Sequence, residues 1–402
     1  MSLISVEDAH ERLLGAARPI ARTIVLTLRE AAGRVLAEDV LAKRTQPGFD
    51  ASAMDGYALR AEDAEAPFQP LKVIGESAAG RAFEGRIGAG EAVRIFTGAP
   101  VPEGADAILI QEDAERGEDG ALLPTEAVTA GQHIRPAGVD FSAEAVLLRK
   151  GSLLSPGGVA LAASGGHPRL LVLDRPKVAV LATGDELVPP GEAVGPSQIV
   201  ASNSYGVAAL VEASGGTVID CGIAPDREDE IAGHLDRALA AGCDCFVTIG
   251  GASVGDHDLI GKVFEAKKVE IAFLKVAMRP GKPLMAGRIG DMRLVGLPGN
   301  PASSMVAATL FLAPLVRRLA GRPDKPLTRA AVLGADVPAN GMRADFMRSK
   351  TELQPDGTIV VTPLPRQDSS LLSIYAAADA LLMRPPNAPA ARAGESCRIV
   401  DL

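Results

Sequence analysis

The chain of 402 residues has no tryptophan, only three tyrosines and ten phenylalanines, so its cores must be built from Ala, Val, Leu and Ile. It also lacks any excess of positive charge. With a formal net charge of -9, no global positive field is available to release counterions from a nucleic acid, which argues against nonspecific nucleic-acid binding. Any anionic ligand must be held by local cations. The four cysteines, Cys221, Cys243, Cys245 and Cys397, include no Cys-x-x-Cys pair and no zinc-site spacing, which marks them as reduced core or edge residues. The N-terminus carries no basic apolar leader and no apolar span of about 18 residues is read, so a soluble cytoplasmic protein without membrane contact is expected. Internal repeats and low-complexity tracts are missing as well.

The length predicts two to four domains. Residues 3 to 44 read as helical in parts: Ser5 caps a helix carrying Ala9, Leu13 and Leu14, and a second is expected near Thr27 with Val35 and Leu36 on one face. From Thr45 to about Val139 short runs between turns, such as Leu71 to Gly75, Ala92 to Phe96 and Ala107 to Gln111, predict a β-rich insert. Residues 140 to 172 read as a return to the helical segment. Between 176 and 320, strands and helices alternate: Val178 to Thr183, Asn203 to Ser214, Val218 to Cys221, Arg227 to Ala240 and Cys245 to Ile249, then apolar runs at Ile271 to Val276 and Leu294 to Leu297. This alternation predicts a parallel sheet covered on both faces. The tail, with runs at Ala331 to Leu333, Ile359 to Thr362 and Arg398 to Val400, reads as a small β domain.

The expected fold class is therefore α/β and β multidomain. A helical N-terminal domain (1–45 with 140–172) is interrupted by a β-rich insert (46–139), then come a central doubly wound, mostly parallel α/β domain (173–324) and a C-terminal β domain (325–402).

Parallel α/β sheets bind ligands at the carboxyl ends of their strands. Four loops should gather there: Thr183-Gly184-Asp185-Glu186, Pro225-Asp226, Gly250 to Asp258, and Leu297-Pro298-Gly299-Asn300-Pro301. Glycines at helix N-termini cradle phosphate, and carboxylates at the same rim hold Mg²⁺ through oxygen. Glu186, Asp226 and Asp258 are the candidate metal ligands; simple helix capping is the competing reading for each. Gly250, Gly251, Ser253 and Gly255 form the candidate cradle. Further on, Lys275, Arg279 and Lys282 space three cations across a strand end and the Pro280-Gly281 turn, with Pro283 closing it. Lys275, read inside an apolar strand, needs an anion or acidic partner there.

The order and spacing of these motifs resemble the molybdopterin molybdenumtransferases, which insert molybdate into adenylylated molybdopterin, and the corresponding domain of gephyrin. The resemblance rests on Ser52-Ala53-Met54-Asp55-Gly56-Tyr57-Ala58, Arg94-Ile95-Phe96-Thr97-Gly98-Ala99 through Gly104-Ala105-Asp106-Ala107, Ile134-Arg135 to Asp140, Ser202-Asn203, the Thr183 and Gly250 loops, Arg279 to Pro283, and Leu297 to Ser303. It covers almost the whole chain and implies a molybdopterin-binding α/β domain. A homodimer is also implied, with an active site lying between the α/β domain of one chain and N-terminal segments of the other. Carried over by motif, Asp55, Thr97 and Asp140 come from the N-terminal half. Glu186, Asp226, Asp258, Lys275 and Arg279 come from the α/β domain, and Arg343 and Ser373 are similar to residues that help hold molybdate. Arg279 stands where Lys is common, Ala252 where Val is usual, and Ala201 where many relatives carry Asp; Ser369 to Tyr375 lacks an Arg found in some members.

The resemblance implies binding of molybdopterin-AMP, Mg²⁺ and molybdate, transfer of molybdenum to the dithiolene and release of AMP. Asp226, Asp258 and Glu186 would hold Mg²⁺, and Lys275, Arg279 and Lys282 the oxyanions. Thr183, Gly184, Asp185, Pro283, Pro298, Asn300, Pro301 and Ser303 complete the expected substrate-binding set. An upstream molybdopterin adenylyltransferase is the implied partner. Two rivals share these residues: another enzyme on the same module, an adenylyltransferase or nucleotide pyrophosphatase, and a noncatalytic pterin-binding scaffold.

Overall fold

The computed structural model describes residues 3–251 and 259–402. Two compact units emerge, one made of Met1–Ile24, Gly151–Leu153 and Val172–Leu402, the other of Val25–Lys150 and Leu154–Leu171.

The second unit holds a four-stranded sheet in the order Lys72–Ser77, Glu91–Ile95, Gly56–Leu59, Ala107–Ile110. Its central strand is buried on both faces: Tyr57 and Leu59 enter one cluster, Ala58 another with Val93, Ile95 and Ile108. The helix expected near Thr27 is a single turn, Leu28–Ala31, closed at its start by a capping box between Thr27 and Glu30. Ala32 leaves the helical region and Gly33 follows at φ +73°, so Val35 and Leu36 are buried outside any helix. Farther on, Ser155 caps Pro156–Ser164 by accepting from the amide of Gly158 at 3.1 Å.

In the first unit, helix α1 (Val6–Leu14) begins at Ser5, whose side chain accepts from the Asp8 amide at 2.9 Å. The central sheet runs through β1 (Lys177–Thr183), β2 (Thr217–Ala224), β3 (Cys245–Ile249), β4 (Glu270–Phe273), then, after the short β5 (Met278–Arg279), β6 (Met285–Ile289) and β7 (Met292–Leu297). Its order is β2-β1-β3-β7-β6-β4. Along β1 the side chains alternate between two cores. Val178 and Val180 pack with Val207 and Val211 of α2 (Asn203–Ala213), while Ala179 and Leu181 pack with Ile231 and Leu235 of α3 (Glu228–Ala240) and Ile260 and Val263 of α4 (Leu259–Ala266). Helices thus cover both faces, the doubly wound arrangement.

The sheet is mixed at one side. β1, β2, β3 and β7 pair in parallel, but β6 pairs antiparallel with both β7 and β4. Only Gly290 and Asp291 separate β6 from β7, too short a link for a parallel crossover. The apolar run from Ile271 to Val276 also ends early, at Phe273. Beyond it the backbone pairs with the N-terminal segment: the Ile4 amide donates to the Lys275 carbonyl at 3.3 Å and Ala277 donates to the Ile4 carbonyl at 2.7 Å. Lys275 is therefore half-buried outside any strand, which removes the argument for a cation buried in the sheet.

Helix α5 (Pro301–Leu319) is long and apolar enough to cross a membrane, contrary to the sequence reading, yet 72% of its apolar window is buried inside the protein. It serves as the core helix, with a π turn at Ala308–Leu312. The C-terminal part is a closed ring of β8 (Arg329–Leu333), β9 (Ala344–Leu353), β10 (Ile359–Pro363), β11 (Ala380–Arg384) and β12 (Ser396–Asp401), with helix α6 (Leu372–Ala377) between β10 and β11. β9 and β11 were missed in the sequence. β5 joins the ring from outside, pairing in parallel with β9 so that Arg279 lies opposite Asp345.

Candidate active site

The parallel register brings strand ends side by side: Thr183 pairs with Ala224, Ala182 with Ile249, and Ile249 with Leu297. The loops that leave these ends meet at one cavity of about 490 Å³. From the expected set, Thr183, Glu186, Asp226, Gly250, Gly251, Lys282, Pro283, Pro298, Asn300, Pro301 and Ser303 all line it. Ser253, Gly255 and Asp258 lie outside the described residues.

Two glycines are required where β3 turns. Gly250 sits at φ +96° and a Cβ there would stand 2.5 Å from the Thr183 carbonyl oxygen; Gly251, at φ +64°, would bring one to 2.9 Å from the Thr183 hydroxyl. That hydroxyl is buried and has no hydrogen-bond partner among the described residues. Buried polar atoms are nearly always satisfied, so this rim holds polar capacity for a ligand or for the loop beyond.

The acidic side of the cavity is electrostatically coupled. The Asp226 amide donates to Oδ1 of Asp185 at 3.1 Å. Burial first, then the negative charges of Asp185 and Glu186, raise the Asp226 carboxyl above the usual carboxylate range. Among the described residues no three His, Cys, Asp or Glu side chains are already drawn together as a metal cage. Gly184 and Asp185 flank the cavity without lining it.

Sequence reasoning missed the opposite wall. Leu187–Val188 and Ile199–Val200 pair in parallel and deliver Ser202, Asn203 and Ser204 to the cavity. Asn203 donates from Nδ2 to the Gly299 carbonyl at 2.7 Å, tying the start of α2 to the loop after β7; its Oδ1 is buried and unpartnered among the described residues. The Ser202-Asn203 pair was visible as a motif but resembled a plain helix start. Asn300 in turn donates to Ser369 Oγ at 3.1 Å.

Besides Gly184 and Asp185, four expected residues of this unit do not line the cavity. Lys275 sits in the segment held by Ile4. Arg279 pairs with the buried carboxylate of Asp345, and this hydrogen bond holds its guanidinium above the ordinary arginine value. Arg343 is half-buried before β9, its carbonyl accepting from Asn340 at 2.8 Å, and Ser373 is exposed on α6. In the second unit, Asp55 accepts from the amide and hydroxyl of Thr97 at 2.7 and 2.8 Å, bonds that lower its carboxyl from the usual value. Asp140 is exposed, with its amide on the Gln46 carbonyl at 3.1 Å.

A doubly wound sheet whose glycine and acid loops ring a cavity at the strand ends is the ligand-binding architecture of an α/β domain. Residues 179–318 match the profile of a probable molybdopterin binding domain, flanked by matches to the MoeA N-terminal region (domain I and II) over 4–166 and the MoeA C-terminal region (domain IV) over 330–402. The chain belongs to the molybdopterin molybdenumtransferase family, transferases of molybdenum cofactor biosynthesis. It is 35% identical over 399 residues to the molybdopterin molybdenumtransferase of Haemophilus influenzae, covering 99% of this chain and 98% of that one. It is also 37% identical over 409 residues to molybdopterin molybdenumtransferase 2 of Mycobacterium tuberculosis, covering 99% of each. The crystal structure of the molybdopterin biosynthesis MoeA protein from Pyrococcus horikoshii superposes with a TM-score of 0.84 at 31% identity, covering 100% of this chain and 99% of that one.

Proposed function

We propose that this chain inserts molybdate into adenylylated molybdopterin with Mg²⁺-dependent release of AMP. The observation that carries the reading is the raised Asp226 carboxyl beside Asp185 and Glu186, in the same cavity as Lys282 and the Gly250-Gly251 turn. Asp185, Glu186 and Asp226 offer only carboxylate oxygens, the donor type that Mg²⁺ prefers. Glu186 and Asp226, with Asp258, would hold the ion. When bound, it supplies positive charge at the phosphate oxygens of the scissile anhydride.

The chain's own residues do the positioning. Gly250 and Gly251 let the backbone approach a phosphate, and the Thr183 hydroxyl and Asn203 Oδ1 stand ready to fix the substrate's orientation. Lys282 attracts oxyanion charge to the cavity. Lys275 and Arg279, with Arg343 and Ser373, serve molybdate in this reading from beyond the cavity lining. Asp55, Thr97 and Asp140 contribute from the second subunit of a homodimer. The four-part division at about residues 45, 140, 172 and 325, a cytoplasmic location and delivery of the substrate by an adenylyltransferase belong to the same proposal.

Incubating the protein with molybdopterin-AMP, molybdate and Mg²⁺ while following AMP tests it. AMP release that needs both molybdate and the metal is expected; an intact substrate under these conditions overturns the reading.

A further inference from the structure

Arg288 and Arg293 stand directly opposite each other on the antiparallel pair β6 and β7. Side chains in that relation share one face of the sheet, and like charges so placed repel. Arg12, from α1, reaches the same face by donating from Nη1 to the Ala272 carbonyl at 3.1 Å. Arg293 donates from Nη2 to the Ala16 carbonyl at 2.5 Å, while its buried Nε has no partner among the described residues. These three arginines, together with Glu270, line a depression of about 160 Å³.

The local charge is not balanced. Arg18 also repels Arg293, and the carboxylates acting here are Glu270, paired with Arg288 at 2.5 Å, and Asp291. Among the described residues that line the depression or act on Arg293, four cations (Arg12, Arg18, Arg288, Arg293) meet two anions (Glu270, Asp291) in a chain whose net charge is -9. Burial, and next Arg288, depress the Arg293 guanidinium below its ordinary value. β7 runs from this cluster at Arg293 toward Leu297, so the depression lies at the opposite end of the strand from the acidic cavity.

We infer that the depression lined by Arg12, Arg288 and Arg293 is a second anion site, which takes a compact tetrahedral oxyanion, either inorganic phosphate or the phosphate of a phosphoryl ester. Guanidinium forks match the paired oxygens of such a group and stay charged when partly buried. The small volume admits the phosphoryl group and leaves any ester substituent outside.

Calorimetric titration of the full-length protein with sodium phosphate, and separately with AMP, at constant ionic strength tests the inference. A phosphate site is expected that is about tenfold or more weaker in the Arg12→Gln, Arg293→Gln double variant and that Lys282→Ala, in the strand-end cavity, leaves unchanged. Loss of one of two AMP sites in the same variant assigns an ester as the occupant, and a single AMP site that the variant leaves unchanged assigns the free anion, since the strand-end cavity takes AMP in either case. Thermal unfolding checks that the variant is folded; if it is not, Arg12→Gln alone, at an exposed position, carries the comparison. Absence of phosphate binding at millimolar concentration, or equal binding by wild type and variant, overturns the site.

Discussion

The Asp226 amide donates to Oδ1 of Asp185 at 3.1 Å, so the loops leaving two neighbouring strands share one carboxylate and crowd a second beside it. Because the folded-state pKa of Asp226 is raised, its ionised form is disfavoured on folding. The resulting destabilisation is present above the raised pKa and is relieved as pH falls through it. Activity runs the other way if the carboxylate form is needed. The acid limb of the pH-rate profile should then lie above the ordinary aspartate value of about 3.9. Asp226→Asn should remove that limb and lower kcat by about a hundredfold or more. A pH-rate series on both proteins measures it; an unchanged kcat would refute the role.

Gly250 and Gly222 provide a matched pair. Both have positive φ, but an added Cβ meets the Thr183 carbonyl at 2.5 Å in one and nothing within 4 Å in the other. Gly222→Ala should cost about 1 kcal/mol, and Gly250→Ala about 2 kcal/mol or more, with loss of activity. Denaturant titration of the two variants decides whether the close approach matters.

Asn203→Ala removes the bond to the Gly299 carbonyl and the buried Oδ1 together. Substrate affinity should fall about tenfold, a loss of about 1.4 kcal/mol, while kcat changes less. Steady-state kinetics separate the two. An unaltered KM would reduce Asn203 to a structural tie.

Arg279→Ala leaves the Asp345 carboxylate buried without its guanidinium. The expected cost is about 1–3 kcal/mol, and restoration of stability by Arg279→Ala with Asp345→Asn would show that the orphaned charge causes it. A double-mutant cycle in urea supplies the measurement.

For a shared active site, mixing Asp55→Asn subunits with Asp226→Asn subunits should recover part of the activity that each lacks alone. Refolding the two together and assaying AMP release provides the check; no recovery would place the residues in separate functions.

Much of the α/β region was legible in the sequence because burial on both faces leaves short apolar runs such as Cys245–Ile249, and the glycine and acid loops sit where those runs stop. β9 was hidden for a physical reason: its ten residues bury Asp345, Arg348 and Ser349, so no alternation of apolar and polar side chains appears. Lys275 misled because the chain exchanges partners after Phe273, a choice made by distant Ile4. Arg279 was expected to hold an oxyanion, and nothing near it in sequence shows that the ring places Asp345 across from it. Asn203 carried no local sign that its two ends face different duties.

Because β5 continues out of the α/β fold to hydrogen-bond along β9, the ring at the C-terminus has no seam at which it could be peeled away cleanly. Unfolding of the ring also removes the main-chain partner of Met278 and Arg279, so truncation before residue 325 would leave the strand bearing Arg279 unpaired on that side.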